Sequence, residues 1–213
     1  MNEKYGTTEG LAKLRAGRDA YEEVALACSS VTGPTEPDHR KLREALATLR
    51  SAMNWLEDTE HFEVAHAVLD EAGLLARTAF SEGCVLPYRD GGYFMECPVA
   101  LAHNRVGMSA GFVARVVECS VCRHDPDECP HITGRIYDGK HCHRIVMQAD
   151  LLEISLVARP NQPDARIMSM SVGTSHLRQE LGKEFVPGMP VTCDRCLSQC
   201  DGVARPFEEL HES

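Results

Sequence analysis

Residues 119–131 read Cys-Ser-Val-Cys-Arg-His-Asp-Pro-Asp-Glu-Cys-Pro-His, "CSVCRHDPDECPH". Three thiols and two imidazoles this close together leave three chemistries open: a metal, a disulfide or a reactive thiol. Cys119-x2-Cys122 puts two sulfurs on one tight turn, where they can chelate an ion at little extra loop entropy. Zinc takes four N/S ligands in a tetrahedron at roughly 2.0–2.3 Å. Cys129 with His131, or Cys129 with Cys142, can close the set. We favour Cys119, Cys122, Cys129 and His131, because Pro130 stiffens the return of the chain. His124 is expected to be exposed in the loop. Cys142 lies between His141 and His143, which leaves the fourth ligand open. The stretch from Arg123 to Lys140 is rich in Asp, Pro, His and Gly and cannot bury a core of its own. An ion bound there contributes on the order of 10 kcal/mol to folding.

A second cluster, Cys193-x2-Cys196-x3-Cys200, supplies three thiols in eight residues. Its fourth ligand is open among Cys142, His176 and His211. The knuckle spacing and nearby histidines favour zinc over an iron–sulfur cluster. Two closed four-ligand sites imply two structural Zn2+ ions rather than a catalytic metal, which keeps a position open for water. Cys28, Cys84 and Cys97 stand apart in the sequence and read as small buried apolar residues.

The composition agrees with a soluble protein that keeps its thiols reduced. The 213 residues give room for one large domain or two small ones, and charged residues make up 25% of them, as in a globular chain. No apolar run approaches the roughly 18–20 residues that span a bilayer. The N-terminal "MNEKYGTTEG" lacks the basic-then-apolar pattern of a secretory signal, so a cytoplasmic location is expected. A net charge of −10, spread over both halves, disfavours nucleic acid as a partner. There is no glycine-rich phosphate loop to support nucleotide chemistry.

Hydrophobic periodicity divides the chain near residue 85. Leu11, Leu14, Tyr21, Val24 and Cys28 form one helical stripe. Leu42, Leu46, Leu49, Met53 and Leu56 form a second, after a break at "TGPTEP" and a cap at Asp38. A third helix carries Phe62, Ala65, His66 and Leu69. Gly73 is placed to end or kink it before a short fourth helix, Leu74 to Ser81. His61 and His66, five apart, make a poor metal pair. Beyond Val85, "YRDGGYFMEC" carries a hairpin turn signal. Gly111–Glu118, the run "RIVMQADLLEISLVAR" and Ala165–Val172 read as strands, and His176–Leu181 as a short helix. The expected architecture is α+β: a helical segment over 1–84, then a zinc-stapled, β-rich, small barrel-like domain over 85–213.

Two segments, "DGGYFMECPVALAHNRVGMSAGFVARV" and "ADLLEISLVARPNQPDARI", resemble the tailed-phage prohead (capsid-maturation) serine proteases. The resemblance implies a small β-barrel with flanking helices and a serine nucleophile assisted by a histidine. It makes Ser109 of "MSAGF" the nucleophile, with Glu153 or Ser155 nearby. The upstream histidines fit that family poorly. His61 and His66 lie in a predicted helix, and His103 precedes Ser109 by only six residues and is followed by Asn104. Catalysis by Ser109, His103 and Glu153 is therefore the second expectation. The first is a non-enzymatic zinc-binding scaffold or interaction module, possessing a protein partner or associating with itself, and phage-derived or part of an assembly.

Overall fold

The computed structural model describes residues 7–31, 33–197 and 200–205. In chain order the elements are α1 (Thr7–Cys28), α2 (Glu36–Trp55), α3 (Phe62–Ala79), a 3-10 turn (Ser81–Cys84), β1 (Tyr88–Arg89), β2 (Gly92–Met95), α4 (Pro98–Ala102), β3 (Gly107–Cys119), β4 (Ile136–Tyr137), β5 (Lys140–His141), β6 (Arg144–Val157), β7 (Met170–Val172) and α5 (Thr174–Leu181). Two more 3-10 turns follow, at Gly182–Glu184 and Arg195–Leu197. Contacts divide the chain into two units, residues 1–107 with 157–213, and residues 108–156. The helices thus share a unit with the segments on either side of the long strands.

The first unit is built on the predicted stripes. All five stripe residues of α2 and its C-cap are essentially inaccessible. They pack with Leu14 and Val24 of α1 and with Phe62, Ala65, Leu69, Ala72 and Ala76 of α3. Leu11, Tyr21 and Cys28 flank this core. The α1–α2 approach is close because α1 carries glycine at the contact: a Cβ on Gly17 would lie 2.7 Å from Leu49 Cγ. The cap of α2 differs from expectation. Thr35 is the N-cap and its N–H donates to Asp38 Oδ2 at 2.8 Å. Pro37 sits in the first turn, where a missing N–H costs nothing. Nor does Gly73 break α3, which runs through it to Ala79. A Cβ there would meet Cys196 Sγ and Val99 Cγ2, each at 2.9 Å, so this glycine serves a tight crossing.

A second small core in the same unit gathers Leu86, Tyr93, Leu177, Phe185, Val191 and Cys193. The β1–β2 hairpin turns at Asp90 and Gly91, both with positive φ (52° and 77°), as a type I′ turn requires. β7 pairs antiparallel with β2, giving the sheet order β1-β2-β7. The expected strand at 165–172 shrinks to Met170–Val172. Residues 159–167 instead form a polar loop fastened to α2. Asp164 accepts hydrogen bonds from Ser51 Oγ (2.8 Å), Asn54 Nδ2 (3.0 Å) and Trp55 Nε1 (2.8 Å). The Arg50 guanidinium donates to the Ile167 carbonyl at 2.5 Å.

Just beyond α2, the buried Glu57 carboxylate gathers three guanidinium groups. Arg105 binds it bidentately at 2.9 and 2.8 Å, and Arg159 at 2.8 Å. Arg166 closes the third side. Burial, together with neighbouring Arg105, pushes Arg166 down to about 10, so it stays cationic at neutral pH.

In the second unit β3 and β6 pair as a long two-stranded ribbon. Gly111 lies against Glu153 and Arg115 donates to Asp150 at 2.6 Å, so the partners step in opposite directions along the chain. A short β4–β5 hairpin turns at Asp138-Gly139 (φ 48° and 75°). The sheets are small, and no closed barrel forms among the described residues. The barrel expectation fails because, among the described residues, the two longest strands pair with each other and with no further strand, apart from a single bridge from Gly107 to Arg166. Among the described residues, no helix is long and apolar enough to cross a membrane.

Two stability predictions follow from the polar links. Replacing Glu57 with Gln leaves three arginines facing a neutral amide, and unfolding in urea is expected to show a loss of about 3–5 kcal/mol. A loss under 1 kcal/mol would remove this carboxylate from its central place. For Asp164, burial pushes the carboxyl up, but hydrogen bonds from Asn54, Trp55 and Ser51 outweigh it and hold the group below its ordinary value. Its stabilisation is therefore complete above the ordinary carboxylate pKa, about 3.9, and is lost as pH falls through the lower folded value. Asp164→Asn should lower stability at pH 7 and flatten the decline between about pH 4 and 2; an unchanged acid profile would contradict this.

Candidate metal centres

Two groups of side chains could each hold a metal ion: Cys119, Cys122, Cys129 and His131, and His66, Asp70, His103 and Cys200. In each, the ligand atoms all lie within 4.8 Å of one another.

The first group is the one favoured from the sequence. Cys119 ends β3, and the turn after it is a knuckle. The Arg123 N–H donates to the Cys119 carbonyl at 2.8 Å and the Cys119 N–H donates to the His124 carbonyl at 2.9 Å. Arg123 adopts a positive φ of 64° to close this turn. His124 is exposed and directs Nδ1–H to the Cys122 carbonyl at 2.9 Å, away from the sulfurs. His131 packs edge-on against Tyr137, and its Nδ1 is buried with no hydrogen-bond partner. The Cys122 and Val121 N–H groups, set against burial, pull the Cys119 thiol down to about 6. A thiolate is the species that binds a metal. Cys142 is buried with its sulfur 3.8 Å from that of Cys119, at the edge of the same group. It belongs here and not with the C-terminal cysteines.

The second group replaces the expected C-terminal cluster. Cys193, Cys196 and Cys200 do not converge on one point among the described residues. Cys193 pairs with Cys97, the N-cap of α4. The Cys193 thiol and the N–H groups of Ala100 and Val99 bring Cys97 down to about 6 despite burial. Cys84 and Cys97 border one small cavity of about 70 Å³ with Cys193, so neither stands alone as the sequence implied. Burial pushes Cys196 up to about 12, which keeps it a thiol packed at Gly73. His176 is exposed on α5, and His211 lies outside the described residues. Only Cys200 joins a metal-capable set, and its partners come from the helices.

Sequence reasoning passed over that set. His66 and Asp70 stand at i and i+4 on α3, the spacing that aligns two ligands on one helix face. That spacing is a signal in the sequence, whereas the five-residue spacing of His61 and His66 does not align two ligands. The convergence of His103 and Cys200 on the same point had no local signal.

The expected catalytic residues are placed differently. Ser109 lies on β3, half-buried, and Glu153 is exposed on β6 over Gly111. His103 sits in the other unit with both ring nitrogens engaged there. Nδ1–H donates to the Val99 carbonyl at 2.6 Å, and Nε2 faces His66, Asp70 and Cys200. A ring held this way is oriented as a ligand, and serves poorly as a general base for a serine. No protein-family model, curated protein or solved structure matches this chain.

Proposed function

We propose that the chain is a zinc-stapled, non-enzymatic protein-interaction module that self-associates through its β3–β6 ribbon as part of an assembly. The ribbon surface carries this reading. Met108, Phe112, Val113 and Val116 on β3, and Val146, Met147, Leu151, Leu152, Ile154 and Leu156 on β6, are each at least 41% exposed. Alternation along a strand places Phe112 and Val116 on one face and Val113 on the other, and likewise separates Leu152 and Ile154 from Leu151. Apolar side chains thus lie on both faces of a two-stranded element, which is marginal in water on its own. Contiguous exposed apolar surface of this kind marks a protein-interaction site. The charges between them are mixed, Arg115 and Arg144 against Glu118, Asp150 and Glu153. A second copy therefore meets no field of a single sign.

In this reading Zn2+ occupies the Cys119 group and fixes the loops beyond the ribbon. Three thiolates and an imidazole suit zinc better than magnesium or calcium, which prefer oxygen.

Analytical ultracentrifugation over a wide concentration range should show reversible self-association. Leu152→Asp with Ile154→Asp should abolish it while leaving helical circular dichroism intact. A wild-type chain that stays monomeric throughout would discard the ribbon reading. For the staple, His131→Ala is expected to release zinc from this group, and Cys142→Ala to retain it. The reverse result assigns the fourth ligand to Cys142. Removing the metal with EDTA should open residues 120–143 to limited proteolysis; equal resistance with and without chelator would end the stapling proposal.

A further inference from the structure

We propose that His66, Asp70, His103 and Cys200 form a second zinc site that clamps the segment at residues 200–205 onto α3 and the end of α4. This site is independent of ribbon self-association and of the Cys119 group.

The geometry is that of four donors aimed at one point. His66 Nε2 and His103 Nε2 are 2.9 Å apart. Cys200 Sγ lies 3.1 Å from His103 Nε2 and 3.4 Å from His66 Nε2. The Asp70 carboxylate is 3.3 Å from His66 Nε2 through Oδ2 and 3.2 Å from His103 Nε2 through Oδ1. The Val99 carbonyl can only accept, so the His103 Nδ1 facing it at 2.6 Å carries the proton. In the neutral ring Nε2 then presents a lone pair. That lone pair faces a second imidazole nitrogen, a carboxylate and a sulfur. One divalent cation at the point between them would satisfy all four donors at once.

The ligands are positioned by backbone, not by side-chain chance. His66 and Asp70 share a helix face. His103 follows α4 directly, and its carbonyl accepts from the Ala204 N–H at 2.8 Å, while the Arg105 N–H donates to the Ala204 carbonyl at 3.1 Å. The chain on both sides of the site is thus held in register. Outer partners complete it as outer partners complete metal sites generally. Glu63 lies 3.6 Å from His66 Nδ1. Arg195 Nη2 at 2.9 Å and the Gly202 N–H at 3.2 Å donate to Cys200 Sγ, and offset only part of the burial and the Asp70 charge that push this thiol up.

Two imidazoles, one carboxylate and one thiolate in a four-coordinate arrangement select Zn2+ over oxygen-seeking Mg2+ or Ca2+. Four protein donors fill the tetrahedron, so the ion holds structure and does not activate water. His66, Asp70 and Cys200 border a cavity of about 360 Å³, which gives the ion its entry path.

Elemental analysis of chain purified without chelator tests the site. Wild type should carry one more zinc equivalent than Cys200→Ser and than Asp70→Asn, and Cys119→Ser should lose a different one. Because Cys119→Ser retains only the helical site, added zinc should raise its Tm, and should not raise that of Cys119→Ser with Cys200→Ser. Cobalt loaded into Cys119→Ser should give the visible bands of a tetrahedral ion with a near-ultraviolet thiolate band that Cys200→Ser removes. Zinc content unchanged by both Cys200→Ser and Asp70→Asn would overturn the proposal, whatever the Cys119 group does. Cobalt bands in Cys119→Ser that survive Cys200→Ser would overturn the assignment of Cys200 as ligand.

Discussion

A single buried carboxylate closes the first unit. Glu57 stands just after α2, and its arginine partners come from both sides of the long strands: Arg105 two residues before Gly107, Arg159 two residues after Val157, and Arg166 further on. A chain that departs at residue 107 and returns at residue 157 must bring two distant roots together before it can bury anything between them. Loop closure over fifty residues is costly in entropy. Directional, charge-assisted bonds to one carboxylate offset part of that cost and fix the register of the return. Asp164 adds a second link from the returning loop to Ser51, Asn54 and Trp55. The polar loop at 159–167 thus does for this unit what a strand would do in a barrel.

The helical stripes were legible because helix periodicity is a local property. Leu42, Leu46, Leu49, Met53 and Leu56 announce one buried face, and that face is buried. Glycine was harder. Gly73 reads as a terminator from its intrinsic preference, yet it lies inside α3 because Val99 and Cys196 press against it. Tertiary crowding overrides propensity there, and no local pattern reports crowding. The ribbon strands were recognised, but their alternation gave no hint that a barrel would not close around them.

The same distinction separates the two metal-capable groups. The Cys119 group is written within thirteen residues, so spacing alone assembles it. The His66 group draws on residues separated by up to 134 positions. Only the His66–Asp70 pair has a sequence signature, and the closeness of Cys200 to Cys193 and Cys196 along the chain points to a different grouping. Fold geometry parts those three cysteines. Cys193 follows the edge at Cys84, to whose carbonyl its N–H donates at 2.7 Å. Cys200 travels on to α3.

The two groups also answer different physical problems. The knuckle lies in a stretch with almost no apolar residues, so an ion there substitutes for a missing core. The His66 group borders a core that already exists, where residues 200–205 already hydrogen-bond beside α4 through Ala204. The two groups would therefore differ in effect: an ion at the first would order a loop, and one at the second would tie residues 200–205 to a bundle already formed.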